Sequence, residues 1–423
     1  MTALLEVVRL ELRALVRSRT VAMLTVAAAT WMLVFPRIAR GDGTAEGTRE
    51  LVVHFSLGGV FALLVVALLA SAAGSIARER DAKRLQLTLV RPVRYMAVAF
   101  GKIVAHVAVG AFVIAVACSI LACMSDLSAP CSHVISPTLP SPREEAKAMY
   151  AVYMANTNTP AAVRHAKKEI VLRLLENRAV DRYQTIPTNS TAEWTFAALR
   201  DCEAAPGTAV RMRFTNQLEM RQSVQGVFRL GGREGVVSNI TQAVLTVPLA
   251  DAPVGGQADG AERLTFENLG TTALMIRPRR DLNLLIPADT FGWNLVRAAI
   301  VMVAVLALVI SFGVLLSSAL GRPVALFVAF VVLIVGEMSP SVIEQYPDEL
   351  ETNAVDRIGL VIARFAAQAS RPVSALAPSG ALARGECVEP RKVAEAVALD
   401  LLLLPVLLSM LAAFALPRKR DQS

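Results

Sequence analysis

Ionisable side chains set in or beside apolar stretches are the residues of this sequence whose types and spacing could do chemistry. The densest group is Arg78–Lys102, RERDAKRLQLTLVRPVRYMAVAFGK, with seven basic and two acidic residues. Arg78, Glu79, Arg80 and Asp81 pack charge at the end of an apolar run. Leu85, Leu87 and Leu89 follow as apolar knobs, and Arg91-Pro92 then breaks any helix, because proline lacks an N–H and restricts its predecessor. A short charged helix with apolar knobs suits docking into a groove on a partner. The plainer reading is a solvated basic loop beside the membrane, and charge alone favours it.

Three more ionisable residues fall in or at the ends of apolar stretches: Arg297, Glu337 and Asp400. Charge in that setting is costly, so such groups pair or line a wet path. They read as a polar gate near one leaflet, or more plainly as interfacial snorkelling or an Arg297–Asp400 pair. His106 reads as a packed or interfacial residue, and Pro405 as a kink.

Catalysis by this chain is not expected. Gly101-Lys102 lacks the rest of a phosphate cradle: Met96 stands where the first glycine belongs, and Ile103 where a hydroxyl residue belongs. No GxSxG, HExxH or GxGxxG occurs. The five cysteines, Cys118, Cys123, Cys131, Cys202 and Cys387, show no CxxC or Cys/His metal spacing. Neither a metal nor a cofactor held by this chain is expected.

The elements that must position these residues are membrane helices. Of 423 residues, 54% are hydrophobic and only 18% charged, with a mean hydropathy of +0.51. Aromatics are 5%, so the excess is Ala, Val and Leu, which suits helices rather than an outer-membrane barrel. Residues 1–19 form an amphipathic helix, with Glu6, Arg9, Arg13 and Arg17 on one face and Leu4, Val8, Leu12 and Leu15 on another. It is expected to lie in the cytoplasmic interface. Six apolar segments follow: Thr20–Pro36, Leu51–Ala77, Ile103–Met124, Trp293–Leu320, Pro323–Met338 and Glu395–Leu416. The first and fifth are near the lower length limit for a span. A cleaved signal peptide is disfavoured, because Trp31 and Met32 carry the first run past its small residues.

Charge sets the expected orientation. With the N-terminus inside, the inside pieces carry a net +10 and the outside pieces sum to zero. The basic balance is thus a topology signal, and no nucleic-acid partner is needed to explain it. This divides the chain into the interfacial helix 1–19, spans one to three over 20–124 with a cytoplasmic loop 78–102, and an outer domain 125–291. Spans four and five over 292–338 follow, then an outer loop 339–394, span six over 395–416 and a cytoplasmic tail 417–423.

The outer domain opens on a Pro-rich link with Pro130, Pro137, Pro140 and Pro142. Residues 143–182 read as one or two helices broken near Asn156–Pro160. The rest, 194–286, reads as β-rich: Trp194–Leu199, Val210–Thr215, Gln225–Leu230, Ala243–Pro248, Arg263–Asn268 and Leu274–Pro278 have strand character. That spacing predicts a β-sandwich or jelly roll, and an α+β domain overall. Leu282–Ile286 leads into the fourth span. In the outer loop, Val355–Ala369 has a surface-helix pattern. Cys131, Cys202 and Cys387 share the outer side, which allows one disulfide among them.

The order of elements in 78–102 resembles the permease subunits of ABC-2 type ABC transporters. In that family an acidic residue after the second span precedes a Leu-rich stretch, Arg-Pro, and Gly-Lys at the third span. Glu79, Leu85, Leu87, Leu89, Arg91, Pro92, Gly101 and Lys102 stand at those places. The resemblance implies ATPase coupling through Glu79, Arg80, Asp81, Leu85, Leu89, Arg91, Pro92 and Lys102. It also implies a separate cytosolic ATPase that binds ATP and Mg, a second permease copy or paralogue, contact with membrane lipid, and a bacterial inner-membrane location. Export of a lipid, glycan or peptide is the expected function. The outer domain departs from the family, where that connection is commonly short. Two other readings follow: an ATPase-coupled mechanotransmitter acting on an envelope protein, or a membrane-anchored binding module with no ATPase.

Overall fold

The computed structural model describes residues 2–39, 45–83, 94–155, 168–180, 184–196, 207–214, 224–230, 233–240, 244–249, 262–345 and 378–415. They fall into two compact units: residues up to Ala129 together with those from Thr290 onward, and Pro130–Asp289 between them. In chain order the helices are α1 (Thr2–Arg17), α2 (Thr20–Ile38), α3 (Ala45–Ala73), α4 (Ser75–Asp81), α5 (Tyr95–Met124), α6 (Pro142–Ala155), α7 (Lys168–Val180) and α8 (Pro278–Asp281). They continue with α9 (Phe291–Ala319), α10 (Arg322–Gln345), α11 (Pro378–Ala383), α12 (Pro390–Glu395), a π-helical stretch Ala396–Leu403, and α13 (Leu404–Ala415).

The first unit is helical. Among the described residues five helices are long and apolar enough to cross a membrane: Thr20–Ile38, Gly47–Asp81, Tyr95–Met124, Phe291–Ala319 and Pro390–Ala415. The fifth expected segment, Pro323–Met338, is helical within α10, but its described apolar part, Arg322–Ile334, is shorter than a span. The core lies around α9, which packs against α3, α5, α13 and the π-helical stretch. Small residues let these helices approach. A Cβ on Gly110 of α5 would stand 2.2 Å from Leu306 of α9, so only glycine fits there.

Three local features differ from a plain succession of spans. The second segment is not one smooth helix, because α3 gives way to α4 at Gly74. Secondly, α1 ends where Arg19 takes a left-handed conformation (φ 60°), with Ser18 Oγ donating to the Leu15 carbonyl at 2.6 Å. Thirdly, the expected kink at Pro405 appears as the π-helical turns before it, where the Leu404 N–H bonds the Leu399 carbonyl. Proline has no N–H to continue the regular ladder, and a widened turn absorbs the mismatch. Val355–Ala369 lies outside the described residues.

The second unit carries the sheets. Its strands are β1 (Pro130–Ile135), β2 (Gln184–Ile186), β3 (Thr191–Phe196), β4 (Ala209–Arg213), β5 (Val224–Leu230), β6 (Arg233–Ile240), β7 (Val244–Pro248), β8 (Glu262–Asn268), β9 (Leu274–Ile276) and β10 (Leu282–Thr290). The described strands form two four-stranded sheets, ordered β1-β10-β4-β7 and β3-β8-β5-β6, and a separate two-stranded β2-β9 ladder. Alternate residues of β3 and β5 are buried, as a half-covered strand requires. Both large sheets feed one core, with Phe196, Phe228 and Phe266 from one sheet and Met212, Leu245 and Leu284, with Phe214 just after β4, from the other. The Phe228 and Phe266 rings stand 4.5 Å apart. A Cβ at Gly226 would meet the Phe266 ring at 2.5 Å, so the aromatic cluster needs glycine beside it. Helices α6 and α7 pack on each other around Ala146, Val171 and Leu175.

The Pro-rich link is corrected in part: Pro130 opens an edge strand rather than a linker. An edge strand tolerates proline at its first residue, where the missing N–H costs no ladder bond. Leu282–Ile286 belongs to a longer strand, β10, which runs to Thr290 and pairs antiparallel with β4.

Phe266→Ala is expected to destabilise the β unit by about 3–5 kcal/mol, the usual cost of deleting a buried aromatic. Hydrogen exchange on the intact chain reads this as lost protection in Thr191–Phe196 and Val224–Leu230, with α9 unchanged.

Candidate functional site

Lys102 is among the largest fully buried side chains of the helical unit, with 2% of its surface exposed. A charged ammonium at such depth needs compensation. Two carboxylates supply it: Nζ donates to Glu11 Oε2 at 2.7 Å and to Glu79 Oε1 at 2.8 Å. The three residues come from three elements, α1, α4 and α5. One point of charge therefore ties the amphipathic helix and the end of the second span to the start of the third.

The local sequence explains how they meet. Glu11 stands among Leu4, Val8, Leu12 and Leu15, on the apolar face of α1 rather than with Arg9 and Arg13. That face lies on α5. A Cβ on Gly101 would come within 2.7 Å of Val7, so glycine brings α1 close enough for Glu11 to reach Lys102. The Gly101-Lys102 pair thus has two separate jobs, close approach and charge.

A second layer holds the cluster. His106, one turn beyond Lys102 and fully buried, places Nδ1 2.8 Å from the Lys102 carbonyl and Nε2 3.1 Å from Ser71 Oγ. A carbonyl only accepts, so Nδ1 carries the proton there. A neutral ring then accepts from Ser71 and links α5 to α3. On the other side of α4, Arg80 donates to the Ser318 and Leu320 carbonyls at 3.3 and 2.8 Å. These carbonyls close the C-terminus of α9, where a cation is favoured. Ser317 Oγ accepts from the Ile76 and Ala77 amides at 2.9 and 3.0 Å, satisfying N–H groups that the start of α4 leaves open. Beside the cluster lies a cleft of about 440 Å³, lined from α1, α2, α3, α4 and α5.

The expected coupling residues therefore separate. Glu79, Arg80 and Lys102 point inward and are bonded, whereas Asp81 is exposed, as are its neighbours Arg78 and Lys83. Leu85, Leu87, Leu89, Arg91 and Pro92 lie outside the described residues. Arg297 is half-buried, with its guanidinium 5.8 Å from the Trp293 ring. Asp400 is buried at 3% exposure in the π-helical stretch. No ion pair joins Arg297 and Asp400 among the described residues. Glu337 falls within α10, and its side chain lies outside the described residues. Cys131 and Cys387 each take part in a disulfide, Cys118 and Cys123 are free, and Cys202 lies outside the described residues.

Three contributors were not singled out as site residues from the sequence. Glu11 was detectable as a carboxylate on an apolar helix face. Ser317 gave no signal, since a lone serine near a helix end is common. Asn294 is fully buried near the start of α9, donating to the Glu386 carbonyl at 2.8 Å and accepting from the Val388 amide at 2.7 Å. Nearby, Arg384 makes a two-point bond to Glu386, and those hydrogen bonds raise the guanidinium pKa above its ordinary value. Among the described residues no group of three or more His, Cys, Asp or Glu side chains could hold a metal ion.

Comparison with known protein families, with curated proteins and with solved structures finds no match for the chain.

Lys102→Met leaves two carboxylates facing a buried apolar site. Breaking such a pair costs about 3–5 kcal/mol, so the variant is expected to unfold at markedly lower temperature in detergent. Lys102→Met with Glu11→Gln and Glu79→Gln removes the stranded charge and is expected to recover much of the loss. Recovery is read by thermal unfolding of all three proteins at one detergent concentration.

Proposed function

We propose that this chain is the membrane-spanning subunit of an ABC-2 type ABC transporter, with a separate cytosolic ATPase driving export of a lipid, glycan or peptide. The observation that carries this reading is the Glu11–Lys102–Glu79 cluster. The motif residues Glu79 and Lys102 and the N-terminal amphipathic helix are distant in sequence, yet they share one buried ion cluster. A push on the exposed Arg78, Asp81 and Lys83 would reach α5 through Glu79 and α9 through Arg80.

The rest of the proposal follows the charge distribution. Six spans, with α10 as the fifth, would place both termini and the 78–102 loop in the cytoplasm of a bacterial inner membrane. The β unit, read as a sandwich, would stand outside. That Cys131 and Cys387 are disulfide-bonded supports an oxidising compartment for those residues. A second copy or a paralogue would complete the pathway. ATP and Mg would sit on the ATPase partner, not on this chain.

A second reading rests on the β unit. It has its own aromatic core, which suits transmission of motion to an envelope protein without a transported substrate. Stimulation of ATP hydrolysis by an envelope protein, in the absence of any small substrate, would favour it.

Purification of the tagged chain in mild detergent is expected to recover a Walker-A ATPase in stoichiometric amount. Asp81→Lys with Arg91→Glu reverses charge on the loop while sparing the Lys102 cluster, and is expected to lose that ATPase at unchanged protein yield. Recovery of the chain alone, under conditions that preserve a reference transporter complex, would contradict the assignment.

A further inference from the structure

We infer that the cleft beside the Lys102 cluster binds the headgroup of an amine-bearing phospholipid, such as phosphatidylethanolamine. The inference rests on the membrane reading of the helices and not on ATPase coupling, so each can fail without the other.

The cleft of about 440 Å³ carries both signs of charge. Glu11 and Glu79 each spend one carboxylate oxygen on Lys102, Oε2 and Oε1 respectively. Glu11 Oε1 and Glu79 Oε2 accept no hydrogen bond among the described residues. These two oxygens are free acceptors for a primary ammonium, which carries three donors. Arg78 also lines the cleft, is exposed, and has no carboxylate partner among the described residues. A guanidinium in that state suits a phosphate, which it binds in two-point geometry.

Counting Lys102 and Arg78 against Glu11 and Glu79, the lining is charge-balanced. An anionic headgroup would meet two carboxylates, and a lone amine would leave Arg78 unanswered. A phosphate and an ammonium in one molecule match both poles. The remaining lining mixes the hydroxyls of Ser18, Thr20, Ser71 and Ser75 with an apolar side made by Ala14 and Leu15 of α1 and Ala67 and Ala70 of α3. Ala67 and Ala70 are half-buried on a helix otherwise apolar enough to cross a membrane. That side gives glycerol and acyl chains a place to lie. Choline carries no N–H, so it would lose the hydrogen bonds to the carboxylates while keeping its charge.

The test is native mass spectrometry of the full chain with dioleoyl phosphatidylethanolamine, phosphatidylcholine or phosphatidylglycerol added separately. One phosphatidylethanolamine is expected to stay bound at roughly ten-fold lower lipid concentration than phosphatidylcholine, the worth of one charge-assisted hydrogen bond. Arg78→Gln is expected to abolish the preference. Ala14→Trp, which fills the cleft without touching a charge, is expected to abolish it too, so the inference does not hang on one variant. Arg37→Gln, at the far end of α2, is expected to keep it. Equal retention of phosphatidylethanolamine and phosphatidylcholine, or strongest retention of phosphatidylglycerol, would overturn the inference. Displacement by water-soluble phosphoethanolamine at equal concentration would also overturn it, because the site would then read a soluble amine phosphate and not a lipid.

Discussion

A single ammonium group, Lys102 Nζ, organises the helical unit. It sits at 2% exposure between two carboxylates less than 3 Å away. Buried charge is stable only with its partners in place, so the positions of α1, α4 and α5 are linked. Hydrophobic packing alone would not give that link. Apolar helices in a bilayer have little hydrophobic drive to choose one partner over another, because lipid tails are equally apolar. Specific contacts must choose: ions, hydrogen bonds, and small residues that let backbones close.

The other polar contacts of this unit serve the same purpose. Ser317 satisfies amides where α3 breaks into α4, and Arg80 satisfies carbonyls where α9 ends. Asn294 ties the start of α9 to Glu386 and Val388. Each stands at a helix end or a break, where backbone groups lack partners within their own helix. Between those ends the helices are held by packing around α9, with Gly110 allowing close approach. Polar contacts concentrated at the ends fit the proposed passage of displacement along helices. In the β unit, by contrast, the aromatic cluster does the organising. Asn268 adds a buried knot: the two N–H groups on its Nδ2 are shared among the Ile186, Pro187 and Thr272 carbonyls, and its Oδ1 accepts from the Gly270 amide.

The helical elements were legible because length and apolarity are local properties. Thr20–Ile38 and Phe291–Ala319 contain their expected segments nearly to the residue. Strands were legible where alternation was clear, as in Val224–Leu230. Arg233–Ile240 was missed because its REG opening resembles a turn, although Gly231-Gly232 before it is the pair that a tight hairpin favours. Pro130–Ile135 was missed because its partner strand lies about 150 residues on, and no local pattern reports pairing at that distance. The site was half legible. Glu79, Arg80 and Lys102 drew notice through their charge and spacing, but the sequence suggested a docking surface where Glu79 and Arg80 in fact point inward. Whether a charge faces solvent or a neighbouring helix depends on packing, which one sequence does not display. The Arg297–Asp400 pair failed for a related reason. Similar depth in two spans says nothing about which faces meet.

In the proposed function α4 is a lever: Arg78 and Asp81, with Lys83 just beyond them, are open, and Glu79 and Arg80 fix its inner face to two other helices. Its central claim is that an ATPase presses on that open face. The most direct measurement is site-specific photocrosslinking from position 81 in intact membranes, with the adduct identified by mass spectrometry. The account predicts an adduct with a protein carrying a nucleotide-binding GxxxxGK[ST] sequence, its yield changing on addition of ATP. Adducts with lipid alone, or the same adducts from a control position on the lipid-facing side of α2, would contradict it.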